Sequence, residues 1–100
     1  MDSKLLLTID PEAQKEIAQA IEWYESKRKN LGLEFYNYLD GYFQTLLHGD
    51  VFFQIKKEPA YRELPLKRFP FVIIYEHFEN EIYVYSVFNT HQDPDKKIAK

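Results

Sequence analysis

Five consecutive apolar residues, Phe71-Val72-Ile73-Ile74-Tyr75, place the strongest constraint on what this chain can become. An antiparallel strand with one wet face alternates apolar and polar positions, and this run does not, so both of its faces need cover. It lies inside a stretch reading YRELPLKRFPFVIIYEHFENEIYVYSVFNTHQDP, residues 61–94. There a basic turn with Arg62, Lys67 and Arg68 precedes Phe69-Pro70, and a second aromatic-rich segment follows. Strands are expected at residues 51–57, 61–64, 71–78 and 81–88, with Glu79-Asn80 as a tight hairpin turn that lacks the usual glycine.

The first half has a different period. Residues 4–9 read as a short strand, and Asp10-Pro11-Glu12 then supplies a helix start, with Asp as N-cap, Pro at the first helical position and an acid in the first turn. Ala13, Ile17, Ala20, Ile21 and Tyr24 recur with helical spacing, and Lys27-Arg28-Lys29-Asn30 suits a helix C-terminus. Gly32 reads as the turn. A second helix is expected from Leu33 or Glu34 to about His48, with a stripe of Phe35, Leu39, Tyr42, Phe43 and Leu46, closed by Gly49-Asp50. The order is strand, helical hairpin, then an antiparallel sheet of three or four strands packed on the helices, an α+β fold.

One hundred residues correspond to one domain, residues 1–100, with a charged, polar tail at 92–100 expected to be partly ordered at best. There is no cysteine, so neither disulfides nor thiolate zinc sites hold it together, and a cytoplasmic location is the default. No run is long enough for a membrane span, and the apolar stretch near the N-terminus is too short for a signal peptide. The net charge of −3 argues against a surface that grips nucleic acid throughout. Within residues 56–68, however, Lys56, Lys57, Arg62, Lys67 and Arg68 stand against only Glu58 and Glu63. His48, His77 and His91 have no partner at a ligand-like spacing, so no metal or other cofactor is expected. Trp23 reads as helix-to-sheet packing, and Glu12, Glu16, Glu22, Glu25 and Glu34 as solubilising surface.

By period two, Tyr83, Tyr85, Val87 and Asn89 share one strand face, opposite Ile82, Val84, Ser86 and Phe88. Either both rows are core, or helices cover one side only and the second row is a groove for a partner.

Several segments together resemble the RelE/ParE superfamily, small bacterial toxins of type II toxin–antitoxin systems. They are AQKEIAQAIEWYE from Ala13, Leu31-Gly32-Leu33-Glu34-Phe35, Tyr61-Arg62, Leu66-Lys67-Arg68-Phe69-Pro70-Phe71 with Ile73 and Tyr75, and residues 84–94. The resemblance spans nearly the whole chain and rests on the order and spacing of these elements. It implies a helical hairpin on an antiparallel sheet, poisoning of a core cellular process, and neutralisation by an antitoxin protein. Tyr75, Tyr83, Tyr85 and Val87 are the residues expected to meet that antitoxin.

The ribonuclease branch of the family cuts messenger RNA on the ribosome with a strand arginine, further basic residues, and an Arg plus a Tyr or His near the C-terminus. The ParE branch resembles inhibitors of DNA gyrase. In this chain the strand arginine position is Val72, no tyrosine follows Tyr85, and the C-terminal positions are Asn89 and Gln92 with a histidine displaced to His91. Cleavage through a 2′-hydroxyl needs a base, an acid and cations against the developing charge. Arg62, Lys67 and Arg68 could supply charge, but only His91 and the tyrosines are left for proton transfer, and an ordinary Tyr is a poor base near neutral pH. The ParE-like reading therefore leads, with Arg62, Lys67, Arg68, Asn89 and Gln92 expected to contact the target. A RelE-type endoribonuclease using Arg62, Arg68 and His91 is the alternative, and a non-toxic degenerate relative is a third. The cationic cluster itself could equally be a solvated edge that discourages strand aggregation.

Overall fold

Asp10 starts the first helix as its side chain suggests. In the computed structural model, which describes residues 5–48 and 61–91, its carboxylate accepts the Glu12 backbone N–H at 2.9 Å and Pro11 is the first residue of helix α1, Pro11–Lys27. Strand β1, Leu6–Ile9, precedes it. Helix α2, Leu31–His48, follows, then strands β2, Arg62–Pro65, β3, Phe71–Phe78, and β4, Glu81–Asn89. The strand expected at 51–57, the stop at Gly49-Asp50 and the tail at 92–100 lie outside the described residues.

The four strands form one sheet in the order β1-β4-β3-β2. β2, β3 and β4 are antiparallel neighbours, while β1 adds to the outer side of β4 in parallel, Leu6 opposite Glu81 through Ile9 opposite Val84. The sheet is thus mixed: the chain leaves β1 through two helices before returning, a crossover that permits parallel pairing.

The helical stripes lie where their spacing places them. Ala13, Ile17 and Ala20 from α1 and Phe35, Leu39, Phe43 and Leu46 from α2 are buried against Ile73, Tyr75, Ile82, Val84 and Val87. Rings close the centre: Phe35 lies 5.1 Å from Phe69 in edge-to-face contact, and Tyr24 lies 5.0 Å from Phe69 and 5.2 Å from Phe35, spacings typical of favourable aromatic pairs. On the opposite side of the sheet Val72, Ile74 and Phe88 form a second buried cluster. The continuous apolar run of β3 is buried on both faces, as its pattern requires.

Three details depart from the sequence expectations. Gly32 is not the interhelical turn but sits in the first turn of α2, because Glu25 of α1 reaches across and accepts the N–H groups of Asn30 and Gly32 at 2.9 and 3.0 Å. That carboxylate satisfies donors that a helix N-terminus leaves open, and a Cβ on Gly32 would stand 2.6 Å from the Ile21 carbonyl oxygen. The turn proper includes Asn30, at φ 70°, a left-handed conformation Asn tolerates. Second, a β-bulge pairs Ile74 with Ser86 but Tyr75 with Val84, leaving Tyr85 without an opposite residue. An extra residue reverses the alternation, so Val87 joins the helix-side core with Ile82 and Val84 while Phe88 moves to the other side. Third, Trp23 does not pack between helix and sheet: it is 58% exposed, and Tyr24 fills that role instead. The hairpin at Glu79-Asn80 forms without glycine by holding Glu79 at φ 55°.

Candidate functional site

The cationic residues divide into two places. Lys67 and Arg68 lie in the β2–β3 connection, which docks on α2: the Lys67 N–H donates to the Tyr42 hydroxyl at 3.3 Å and the Arg68 N–H to the Tyr38 hydroxyl at 3.1 Å. The two hydroxyls are 3.2 Å apart. The Tyr42 contact and the nearby backbone donors hold the Tyr38 phenol below its ordinary value, and the same shared proton raises Tyr42. Arg68 donates to Glu34 at 3.2 Å and lies over the Phe69 and Tyr38 rings at 5.1 and 5.6 Å. Arg28 donates to both oxygens of the same Glu34 at 3.3 Å each. With Arg28 as the larger influence and Arg68 adding to it, Glu34 titrates below the usual carboxylate range. Arg28, Glu34, Tyr38 and Tyr42 were not singled out for this corner by the sequence, because their relation to Arg68 spans up to 40 positions and carries no local pattern.

Arg62 is elsewhere. On the edge strand β2 it pairs with Tyr75 of β3, four residues from the Phe71 end of β3 and hence roughly 13 Å along the strand from that corner. Burial pushes the Tyr75 phenol up to about 12, with the Arg62 charge acting the other way. His91 is at the corner's end of the sheet: Thr90 N–H and Oγ1 both donate to the Pro70 carbonyl, and the His91 N–H donates to Asn89 Oδ1 at 2.8 Å. Arg68 and His91 therefore share one end and Arg62 does not. Val72, expected at the ribonuclease arginine position, is 4% exposed in its apolar cluster. Gln92 lies outside the described residues.

A second surface is the outer edge of β4. β1 pairs only as far as Val84, and the chain turns into α1 after Asp10 N–H bonds the Val84 carbonyl. Beyond that point Glu16 substitutes for a strand: one carboxylate oxygen accepts the Val87 N–H at 2.9 Å and the Ser86 hydroxyl at 2.8 Å. Burial dominates and raises the Glu16 pKa despite both bonds. Glu16 is a structural group, not the solubilising acid its helical position suggested. Beside it a groove of about 530 Å³ is lined by Trp23, Phe71, Val87 and Asn89 among others. The Lys27 ammonium stands 4.0 Å from the Trp23 ring centre.

The third surface is the side of the sheet away from the helices. Of the four residues expected to meet an antitoxin, Tyr75 and Val87 are buried in the helix-side core, so their burial removes them from any accessible row. Tyr83 and Tyr85 remain on the outside. Tyr61 and Tyr83 each lie 4.8 Å from the Tyr85 ring. Tyr83 donates to Asp10 at 2.7 Å and Tyr85 to Glu76 at 2.6 Å, and these bonds to carboxylates raise both phenols. Among the described residues no group of three or more His, Cys, Asp or Glu side chains is arranged to hold a metal ion.

No protein-family model matches the chain, and no curated protein matches it in sequence. Its structure is similar to a chain of the chromosomal ParDE TA system from P. aeruginosa, with a TM-score of 0.69 and 16% identity, covering 86% of this chain and 96% of that one. The strand, helical hairpin and sheet described above are therefore a RelE/ParE-like fold.

Proposed function

We propose that the protein is the toxin component of a bacterial type II toxin–antitoxin system, neutralised in the cytoplasm by a cognate antitoxin, and that it acts by binding and inhibiting DNA gyrase. The fold shared with a ParDE-system chain supports the first part. One observation favours the gyrase reading over RNA cleavage: Val72 occupies the strand position of the ribonuclease arginine and is buried among Ile74 and Phe88. No cation can act from there, and of the three candidate ribonuclease residues Arg62 is set apart from Arg68 and His91. In this reading Arg68 and Lys67, with Asn89 at the same end of the sheet, form the target contact together with Gln92, and Arg62 is a more distant contributor. An arginine fork suits carboxylate or phosphate on the target.

Purified protein added to translating ribosomes is expected to leave messenger RNA uncut, and a supercoiling assay with gyrase is expected to show inhibition. Codon-specific cleavage that disappears in Arg68→Ala or His91→Ala would replace this reading with the endoribonuclease. Inactivity in both assays would point to a non-toxic relative.

A further inference from the structure

The tyrosine side of the sheet carries a small pocket with a chemistry of its own. Phe78, Tyr83 and Tyr85 wall it and Glu76 and Glu81 supply its carboxylates, around a volume of about 240 Å³. The strand positions on this side are Leu6 and Thr8 of β1, Glu63 and Pro65 of β2, Val72, Ile74, Glu76 and Phe78 of β3, and Glu81, Tyr83, Tyr85 and Phe88 of β4. None is Lys or Arg. Asp10 adds a further carboxylate beside Tyr83. Among the described residues neither Glu76 nor Glu81 is in an ion pair: Glu76 accepts the Tyr85 hydroxyl and Glu81 the Thr8 hydroxyl at 2.9 Å. His77, the neighbouring basic group, is turned to the Glu79 carbonyl at 3.2 Å.

We infer that this pocket receives an arginine side chain of the antitoxin, its guanidinium held between the Tyr83, Tyr85 and Phe78 rings and the Glu76 and Glu81 carboxylates. The inference rests on the toxin–antitoxin reading for the identity of the partner, and on the pocket for its chemistry. A guanidinium is planar, stacks on aromatic faces and pairs with carboxylates through a fork of N–H donors. Both tyrosine hydroxyls donate to carboxylates, which leaves the rings electron-rich and their faces more attractive to a cation. An apolar side chain would cover the two carboxylates without pairing them, at a desolvation cost, and an anionic one would be repelled. Free arginine fits less well than a residue in a chain, because its own carboxylate would face an acidic surface with no described Lys or Arg to receive it. Phe78 is 50% exposed, so the cage is open to a partner's side chain without rearrangement of the sheet.

The probe is arginine blocked at both ends, N-acetyl-arginine N-methylamide, titrated into the full chain and followed by amide and aromatic NMR shifts, with the equivalently blocked citrulline as an uncharged control of similar shape. Saturable shifts at Glu76, Phe78, Tyr83 and Tyr85 with arginine, and little response to citrulline, are expected. Glu81→Gln and Phe78→Leu, both at exposed positions, should each weaken that binding by roughly three- to fivefold, in line with the strength of an exposed ion pair or cation–π contact. Equal shifts with citrulline, unchanged affinity in both variants, or no shift at these residues would overturn the inference. Because blocked arginine reports on the pocket with no antitoxin present, such a failure is separable from failure of the toxin–antitoxin reading. That reading falls instead if the product of a neighbouring short reading frame does not form a complex with this chain.

Discussion

The two sides of the central sheet use the same residue type for opposite purposes. On the helix side Tyr24, Phe35, Phe69 and Phe71 meet ring to ring, and Phe35 is 0% exposed. On the other side Tyr61, Tyr83 and Tyr85 also touch, but the hydroxyls of Tyr83 and Tyr85 are engaged by Asp10 and Glu76 and one flank of the cluster is open. Ring contact alone thus does not identify core. What separates the two groups is whether carboxylates accompany the rings, since a polar tip without a partner is costly inside and useful at a surface.

That difference predicts the largest effect. Phe35→Ala should destabilise the domain by about 3–5 kcal/mol, as large-to-small changes in sealed cores do, whereas Tyr85→Ala should leave the chain folded and weaken antitoxin binding by about 2 kcal/mol, the scale of an aromatic anchor. Urea unfolding and a binding titration on both variants give the comparison. If Tyr85→Ala unfolds the protein as readily as Phe35→Ala, the two sides are energetically one core and the outer tyrosines are not a partner surface.

The next effect lies where the helices approach each other. Gly32→Ala should cost about 1–3 kcal/mol, the usual range for overpacking, because its Cβ would meet the Ile21 carbonyl oxygen at 2.6 Å. In a solvent-facing helix the same change would stabilise, Ala being the better helix former. A melting temperature that rises in Gly32→Ala would mean that α1 and α2 can separate without loss, and that the helix side is looser than its rings suggest.

At the cationic corner the expected stability change is smaller and the expected functional change larger. Arg68→Ala should shift stability by less than about 1 kcal/mol, since its pair with Glu34 is exposed to solvent, while relieving growth arrest on expression. Arg68→Lys should restore arrest only in part, because a point charge does not reproduce the fork. Full arrest with Arg68→Ala would return Lys67 and Arg68 to the role of an ordinary solvated edge.

What could be read from the sequence follows the range of each interaction. Asp10-Pro11-Glu12 and the stripes from Ala13 and Phe35 are local signals set by helix geometry, and they placed α1, α2 and the core side of each helix. The unbroken run at Phe71–Tyr75 correctly required burial on both faces. The bulge at Tyr85 carried no such signal: nothing near it is glycine or proline, and it lies just past the end of the β1 ladder at Val84, more than 70 residues from β1 in sequence. One unpaired residue was enough to send Val87 inward and to split the expected antitoxin row. Glu16 and Glu25 were read as surface acids for the same reason. Their partners, Ser86 and Val87 for one and the first turn of α2 for the other, depend on the fold being already assembled.

Glu16 and Asp10 turn that contrast between the two sides into a pH experiment. Asp10, bonded first by Tyr83 and then by the Glu12 N–H, has its pKa lowered from 3.8, so its contribution is present above that value and is lost as pH falls through the lowered folded value. Glu16, half-buried against β4, has its pKa raised from 4.5. The folded state therefore holds that proton more tightly than the unfolded chain, and the associated stability is full below pH 4.5 and is lost as pH rises through the raised folded value. Glutamine at position 16 keeps an oxygen for the Ser86 hydroxyl and the Val87 N–H but carries no charge to desolvate. Glu16→Gln should match the parent protein below pH 4.5, become progressively more stable than it as pH rises through the Glu16 transition, and finish up to about 1 kcal/mol more stable at pH 7, the net scale of a single hydrogen bond or mild desolvation. Glu16→Ala, which leaves the Val87 N–H and Ser86 without that acceptor, should be destabilised at every pH. Unfolding curves collected from pH 4 to pH 8 test both variants, and a Glu16→Gln protein that loses stability relative to the parent as pH rises would show that the carboxylate charge at the β4 edge is favourable, which would reverse the assignment of burial as its dominant influence.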